Sequence, residues 1–496
     1  MSDAEQATGA QAAGETLETS DFANLLQKEF KPRNERMAEE VESAVGVMAS
    51  HALENTELVS DDTMKTLRAM IAKIDEKLTE QLNHVLHHEE FQELEGRWRG
   101  LHYLVNNTES DTTLKIRVLN ISKKELHKTL KWYKGAAWDQ SPIFKRLYED
   151  EYGMFGGEPY GCVVGDYYFD NGPQDVELLG EMAKVGAAAH VPFISAADPG
   201  MFLMDSWQEL SNPRDIGSLF STPQHAGFRS LRDSEESRYL GLTMPRFLAR
   251  LPYGEDNPVE EFDFLEDTAG ADSNKFCWAN SAYAMGVNIN RSFKMYGWCS
   301  RIRGVESGGA VHGLPTHTFP TDDGGVDMKC PTEVAISERR EAELAKAGFM
   351  PLLHKKNTDF AAFIGAQSLH KPVVYDDPDA SANANLAARL PYLFATCRFA
   401  HYLKAIVRDK VGSFKERKDM QLWLHKWIMQ YVHGDPAHAS DNDKARKPLA
   451  GAEVVVEDVE GNPGYYSAKF FLRPHYQLEG LTVSLRLVSK LPSEKS

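Results

Sequence analysis

The chain has 496 residues, of which 42% are hydrophobic and 26% charged, a composition typical of a globular protein with material for a large core. The formal net charge of −18 argues against non-specific nucleic-acid binding and against an anionic membrane surface. Five cysteines without a C-x-x-C pair indicate reduced thiols rather than a disulfide framework. We find no signal peptide and no apolar run of membrane-helix length, and we predict a soluble, cytoplasmic protein.

The first part of the chain predicts a tail followed by helices. Residues 1–20 are acidic and rich in small side chains, so we expect a disordered tail. Residues 21–110 form a helical region in which apolar side chains recur every three or four positions. Each stripe can pack against the protein's own core or against a second chain, and the core is the favoured alternative. The stripes comprise Met64, Leu67, Ile71, Ile74, Leu78 and Val85, and then Phe91, Leu94, Trp98, Leu101 and Val105.

The central part, residues 111–375, has the pattern of an α/β domain. "LKIRVLNIS" at 114–122 alternates as a strand does, whereas "GCVVGDYYF" at 161–169 is a continuous apolar run. A helical segment, "QDVELLGEMAKVGAAAH", separates it from a further buried strand, "VPFISAADPG", at 191–200. This succession of strand, helix and strand predicts a parallel sheet.

The last part, residues 376–496, follows a long polar loop and predicts an α+β domain. Helices reach about residue 432, and three strands follow, in "AEVVVEDV", "GYYSAKFFL" and "GLTVSLRLVS". In the last of these, Leu481, Val483, Leu485 and Leu487 alternate with Thr482, Ser484 and Arg486. This strand has no later partner in the chain, which is an aggregation hazard in a monomer. The fold class is therefore α/β and α+β, in several domains.

Two aspartates give the best case for an enzyme. Asp166 and Asp198 each accompany a predicted strand of the α/β core, where ligands of open α/β sheets bind. With Asp170 nearby, they would hold Mg²⁺ for a phosphotransferase or hydrolase. The alternative, which we favour, is that both aspartates cap turns, because no glycine-rich phosphate loop accompanies them.

A basic cluster stands out in this acidic chain. Between residues 398 and 418, seven basic side chains face only two acidic ones. His401, Lys404 and Arg408 share one helical face, opposite an apolar face. This stripe is either an ordinary solvated face or a docking surface for an acidic partner.

Several long stretches resemble one protein family. The C-terminal "FLRPHYQLEGLTVSLRLVSKLP" is similar to the end of the large sheath subunit of the bacterial type VI secretion system, the TssC or VipB family. The resemblance extends through "WRGLHYLV", "GDYYFD", "FCWANSAYAMGVNINRSFKMYGW", "GLPTHTFPTDDGGVDMKCPTE" and "HKPVVYDDPDASANANLAARLPYLFATCRFAHYLKAIVRDKVGSF". It covers roughly residues 60–496.

This resemblance implies a structural protein without a catalytic site, cofactor or metal. In the family, the large subunit pairs with a small one, TssB or VipA, and the protomers form a contractile, phage-tail-like helical polymer around an inner tube of Hcp. The sheath starts at a baseplate, and a ClpV-type AAA+ ATPase disassembles it after contraction. Neither nucleic acid nor direct membrane insertion belongs to this function.

The resemblance also gives roles to the candidate residues. We expect the strand from Leu481 to Leu487 to join the sheet of a neighbouring protomer, as terminal strands do in strand addition. Pro474 and Gly480 would form a hinge before it, so that subunits move while they stay linked. His401, Lys404 and Arg408 would face the inner tube.

Overall fold

The computed structural model describes residues 63–475 and 477, apart from short gaps, together with Arg36, Ser43 and Val47. The gaps are residues 213–214, 261, 270–272, 321–323, 411–416 and 459–465. The predicted tail at 1–20 and the predicted terminal strand lie outside the described residues. No described helix is both long enough and apolar enough to cross a membrane.

The secondary structure is mixed. The α-helices are α1 Thr63–Leu86, α2 Glu89–Asn106, α3 Lys123–Trp132, α4 Pro142–Phe144, α5 Pro173–Ala189, α6 Ile216–Leu219, α7 Ala226–Asp233, α8 Ser281–Tyr296, α9 Glu338–Lys346, α10 Pro378–Ala387, α11 Leu390–Lys410, α12 Arg417–Ile428 and α13 Asp441–Arg446. A π-helix, Lys145–Gly153, continues α4. The strands are β1 Val163–Phe169, β2 Phe193–Ala197, β3 Leu240–Met244, β4 Phe247–Leu248, β5 Trp278–Ala279, β6 Ala310–Val311, β7 Thr318–Pro320, β8 Val326–Met328, β9 Phe349–His354, β10 Ala361–Phe363, β11 Leu449–Asp458 and β12 Tyr466–Pro474.

The chain separates into two compact units, residues 1–91 with 252–275 and residues 92–251 with 276–496. In the first unit, the segment 252–275 is bound to the end of α1. Asn83 donates its side-chain amide to the carbonyl of Leu265 and accepts the backbone amide of Asp267. These side-chain bonds hold the segment where a regular strand is absent.

The second unit is built on a six-stranded sheet in the order β1-β2-β3-β9-β10-β6. The first four strands are parallel to one another. At the far edge, β10 pairs antiparallel with β9, and β6 pairs antiparallel with β10. β2 and β3 are buried throughout. The predicted parallel sheet is therefore present, and β1 follows the predicted run, although several of its side chains are only half-buried.

Apolar clusters cover both faces of this sheet. One face packs on α5 and α9, through Leu178, Leu179 and Leu344. The other packs on α8 and the first half of α11, through Met285 and Leu393. Parallel sheets require this double cover because neither face can be left to water.

The second half of α11 belongs to a separate apolar cluster. Phe399 packs there with Trp298, with Leu424 and Ile428 of α12, and with Val454 of β11. α11 thus continues from the cover of the large sheet into the core of the C-terminal region. β11 and β12 form a two-stranded antiparallel sheet over that core.

The predicted strand at 114–122 is wrong. No strand is present there, and side chains rather than a backbone ladder hold the segment. Lys115 and Arg117 bind the carboxylates of Glu158 and Glu151. Ile116 packs against a small apolar cluster on the other side. The alternation therefore reflects ion pairs at Lys115 and Arg117 and partial burial of Ile116, whereas Val118 and Leu119 are exposed.

Candidate interaction surfaces

α2 buries two glycines and one leucine and exposes several other large apolar side chains. Gly96, Gly100 and Leu104 are buried, whereas Leu94 is 52% exposed and Trp98 66% exposed. A Cβ at position 96 would lie 2.4 Å from the carbonyl oxygen of Trp278, and one at 100 would lie 2.5 Å from the ring of Tyr283. The helix therefore approaches its neighbours closely at the two glycines, while Leu94 and Trp98 lie on the exposed face.

An ion pair fixes the same side of α2. Glu95 accepts Arg250 Nε at 2.6 Å and Arg99 Nε at 2.6 Å, and its side chain is 11% exposed. Burial opposes ionisation of Glu95, but the hydrogen bonds and charges of Arg250 and Arg99 keep its pKa below the usual value. The orientation of α2 is thus set by a half-buried charge pair as well as by packing.

α1 also exposes an apolar stripe. Ile71, Ile74, Leu78, Leu82 and Val85 are each between 37% and 51% exposed. Their spacing of three and four places them on one face of the helix. A contiguous exposed stripe of this kind marks an interaction surface more often than an isolated exposed leucine does.

The favoured expectation that both stripes pack into the protein's own core is therefore wrong for these side chains. Glycines at positions 96 and 100, four residues apart on α2, were the sequence signal for the buried face. Leu101 is half-buried and Phe91 is 36% exposed, so both lie at the margin of the stripe. The alternative of packing against a second chain fits the exposed faces.

His401 lies inside the fold rather than on an exposed stripe. Its side chain is buried, its Nε2 lies 3.0 Å from the carbonyl oxygen of Ala189, and its ring packs against Tyr152 at 5.1 Å between centroids. Burial lowers its pKa to about 4, with smaller effects from nearby cations. The prediction of a surface role for His401 is corrected, because α11 turns this side chain toward α5.

Lys404 and Arg408 are half-buried and hold the region of the π-helix. Lys404 Nζ lies 3.0 Å from the hydroxyl of Tyr148 and 3.8 Å from the ring centroid of Tyr152. Arg408 Nη1 donates to the carbonyl oxygen of Met154 at 2.7 Å. Both cations have structural partners, and their predicted contact with an inner tube stays a prediction.

The chain after β12 is anchored before the predicted terminal strand. Gln477 accepts from Arg303 Nε at 2.9 Å, donates its side-chain amide to the carbonyl of Ser300 at 2.7 Å, and donates its backbone amide to the hydroxyl of Tyr392 at 3.0 Å. Pro474 itself is paired with Leu449 in the β11–β12 ladder. A hinge at Pro474 is therefore not what the structure has, and Gly480 lies outside the described residues.

The two-stranded sheet leaves edges for further pairing. Among the described residues, β11 and β12 pair only with each other, apart from a single bridge at the start of β11. Phe471 on β12 is 57% exposed. A two-stranded sheet is marginal by itself, so an added strand would stabilise it.

The two candidate catalytic aspartates have structural partners. Asp198 caps the 3-10 helix Pro199–Phe202 and accepts the amide of Gly200 at 2.8 Å. Asp166 lies within β1, and burial raises its pKa although Arg97, Asn280 and Tyr283 favour its charged form. No group of three potential metal ligands occurs among the described residues. The capping alternative is confirmed for Asp198 and is wrong for Asp166, which lies inside a strand. The geometry gives no support to a metal-dependent enzyme.

Two family models together match most of the chain. One, described as the EvpB/VC_A0108 tail sheath N-terminal domain, matches residues 68–370. The other, described as the tail sheath gpW/gp25-like domain, matches residues 379–491. The chain is also 74% identical over 487 residues to the type VI secretion system sheath protein TssC1 of Pseudomonas aeruginosa PAO1, with 98% of each chain covered.

Solved contractile particles are more distant. A chain of the anti-feeding prophage baseplate is 10% identical, with a TM-score of 0.39 over 76% of this chain and 84% of that one. A chain of the PVC sheath in its contracted state is 9% identical, with a TM-score of 0.32 over 62% of this chain and 68% of that one. TM-scores this low carry no argument about the fold or the function.

Proposed function

Because this chain belongs to the EvpB/VC_A0108 tail sheath family and is a large structural subunit of a type VI secretion contractile sheath, we propose that it works as one half of a two-subunit protomer. The other half is the small sheath subunit. The protomers polymerise in the cytoplasm around an inner tube and contract to propel that tube.

The exposed apolar face of α2 is the observation that carries this pairing. Leu94, Trp98 and Val105 are about half exposed or more, on a helix whose opposite face is fixed by glycine contacts and an ion pair. An amphipathic helix of the small subunit would bury such a face through side chains at the same three-four spacing. The stripe on α1 offers a second surface of the same chemistry.

The link between protomers would use the C-terminal sheet. Residues 481–487 would add to the β11–β12 edge of a neighbour, because main-chain hydrogen bonds join strands without requiring a flat interface. Gln477 supplies the fixed point from which this segment leaves its own subunit. Any hinge then lies between residue 477 and the added strand.

The remaining partners follow from the same function. The inner tube of Hcp, the baseplate and a ClpV-type AAA+ ATPase would contact the polymer at different stages. Contraction would draw its free energy from contacts made only in the contracted state, since only a difference between two states drives a switch. Of the basic residues proposed to face the tube, Lys404 and Arg408 are partly exposed to solvent, whereas His401 is buried.

Co-expression with the small subunit, followed by electron microscopy, tests the proposal. The full chain should give tubules with a helical, cogwheel-like cross-section. A chain lacking residues 481–496 should still co-purify with the small subunit and give no tubules, because it lacks the added strand. Proline at Ser484 or Arg486 should act in the same way by removing ladder hydrogen bonds.

Tubules formed by the truncated chain at the full-length yield would refute the strand exchange. Soluble monomers of the full chain that never bind the small subunit would refute the protomer itself. Alanine at both Asp166 and Asp198 provides the matched control for an enzyme. A sheath subunit loses at most stability and assembly when the Asp198 cap and the buried Asp166 are removed.

A further inference from the structure

A cysteine and a histidine form a pair outside the surfaces described above. Cys330 Sγ lies 3.4 Å from His354 Nδ1 and 3.1 Å from the hydroxyl of Thr332. Cys330 follows β8, and His354 ends β9. Both residues are half-buried rather than enclosed in the core.

A backbone carbonyl fixes which nitrogen of the histidine faces the sulfur as a base. His354 Nε2 lies 2.7 Å from the carbonyl oxygen of Thr358. A carbonyl only accepts, so Nε2 carries the proton and the neutral ring presents an unprotonated Nδ1 to Cys330. The thiol of Cys330, the imidazole base of His354 and the carbonyl of Thr358 that orients this base are therefore arranged as in activated thiols.

The surroundings favour the thiolate. Burial opposes ionisation, but the hydrogen bond shared with His354 and the hydrogen bonds of Thr332, including that of its backbone amide, hold the pKa of Cys330 below its usual value. The Thr332 hydroxyl donates to the carbonyl of Val334, so it is an acceptor toward the thiol. The pKa of His354 is raised, because its hydrogen bonds with Cys330 and Thr358 outweigh burial. The charged groups nearby are Lys329, whose ammonium lies 4.6 Å from the ring centroid of Phe276, and Glu333.

The other four cysteines of the chain have the opposite character. Burial raises the pKa of Cys277 and Cys299 to about 12. It raises the pKa of Cys162 and Cys397 as well. Cys277 and Cys397 are buried, whereas Cys162 and Cys299 are half-buried like Cys330. The raised pKa of all four thiols predicts slow reaction near neutral pH, so they serve as internal controls.

We propose that Cys330, with His354 as its base, is a reactive thiol that exchanges with low-molecular-weight disulfides such as glutathione disulfide. His354 Nδ1 takes the thiol proton, and the thiolate attacks one sulfur of the disulfide. A bond forms between Cys330 and that sulfur, the original S–S bond breaks, and the departing thiolate takes the proton. The product is a mixed disulfide and one free thiol, so no further oxidant is needed.

Alkylation of the folded full chain tests the reactivity. Purified protein is treated with a limiting amount of iodoacetamide from about pH 6 to about pH 9, and mass spectrometry measures the modification of each cysteine. Cys330 should react at least about tenfold faster than each of the other four at neutral pH, and its rate should level off at lower pH. In denaturant, all five should react alike. Equal rates in the folded chain would overturn the proposal.

The substitution His354→Gln removes the base but keeps the hydrogen bond to the carbonyl of Thr358. A glutamine amide can still donate to the carbonyl of Thr358, but it cannot accept a proton from the thiol. The reaction of Cys330 in a folded H354Q chain should slow about tenfold and shift to higher pH. An unchanged rate would refute the role of His354, and the wild-type pH profile decides the case if H354Q does not fold.

Incubation with glutathione disulfide tests the exchange itself. The mixed disulfide should form on Cys330, disappear on addition of a reducing thiol, and be absent from C330S. Its formation on the other cysteines instead, or on none, would contradict the proposal. None of these readouts depends on assembly of a sheath, so they succeed or fail independently of the proposed function.

Discussion

At the scale of single residues, His401 is buried near the middle of α11, where an added proton would be costly. His401 is enclosed by Ala189, His190 and Tyr152, and Lys404 lies close by. Its Nδ1 has no hydrogen-bond partner among the residues that the structure describes. A proton added to this ring would place a second positive charge beside Lys404 with nothing to receive its hydrogen bond.

We therefore expect acid to destabilise the protein through His401. Its folded-state pKa of about 4 lies below the ordinary value, so between about pH 6.5 and about pH 4 the unfolded chain binds the extra proton and the folded chain does not. The free energy of unfolding should fall as the pH falls through this window, by on the order of 3 kcal/mol from this residue. Urea unfolding at several pH values measures it.

His401→Gln provides the comparison. The glutamine amide can donate to the carbonyl of Ala189 as the ring does, but it does not titrate. The H401Q chain should lose the part of the slope between about pH 6.5 and about pH 4 that His401 contributes, and His190, His370 and His475, whose pKa values are also lowered by burial, should supply the rest. H438Q, at a side chain 85% exposed, should keep the wild-type slope. An unchanged slope in H401Q would show that other groups cause the acid response.

At the scale of elements, α2 has two faces that respond differently to substitution. A leucine at Gly100 would force its side chain into the ring of Tyr283, so the free energy of unfolding should fall by about 2 to 3 kcal/mol. A glutamine at Trp98, which is 66% exposed, should change it by less than about 0.5 kcal/mol. Thermal or urea unfolding of both variants measures the difference.

The same pair of variants distinguishes folding from partner binding. W98Q should fold normally and co-purify with less of the small subunit, because binding loses a large apolar contact. G100L should lower the yield of folded chain itself. Normal complex formation by W98Q would show that this face of α2 is not the one the small subunit uses.

The sequence predicts the elements better than their partners, and α2 shows why. The helix and its apolar positions follow from spacing alone. Spacing does not say which face is buried, because Gly96 and Gly100 leave room for a neighbour that only the folded chain reveals. The strand predicted at 114–122 failed for a related reason, since ion pairs to Glu151 and Glu158 produce the same alternation as a sheet.

At the scale of the whole molecule, the anchor at Gln477 connects the C-terminal sheet to the larger core. Alanine there removes the side-chain bonds to Ser300 and Arg303. We expect backbone amides of β12 to exchange with deuterium up to about tenfold faster, because this end of the sheet opens more often. Exchange in β2 and β3, which are buried throughout, should not change.

Mass spectrometry after hydrogen exchange, on the wild-type chain and on Q477A, makes this comparison. Faster exchange confined to 466–477 supports a local anchor. Unchanged exchange would show that the β11–β12 ladder holds this end without Gln477. Faster exchange everywhere would mean that the residue supports the global fold.

The basic residues of α11 also show what the sequence cannot predict. The excess of positive charge is visible in the sequence, but the partners of Lys404 and Arg408, which are Tyr148 and Met154, are known only from the structure.

The position of Gln477 limits the distance between neighbouring subunits in the polymer. If residues 481–487 pair with a neighbour, only 478–480 remain to span from one subunit to the next. Fully extended, the backbone from residue 477 to residue 481 reaches about 14 Å. The receiving sheet edge of the neighbour must then stay within this distance of Gln477 before, during and after contraction. Subunits joined in this way can rotate widely about the joint but can separate very little at it.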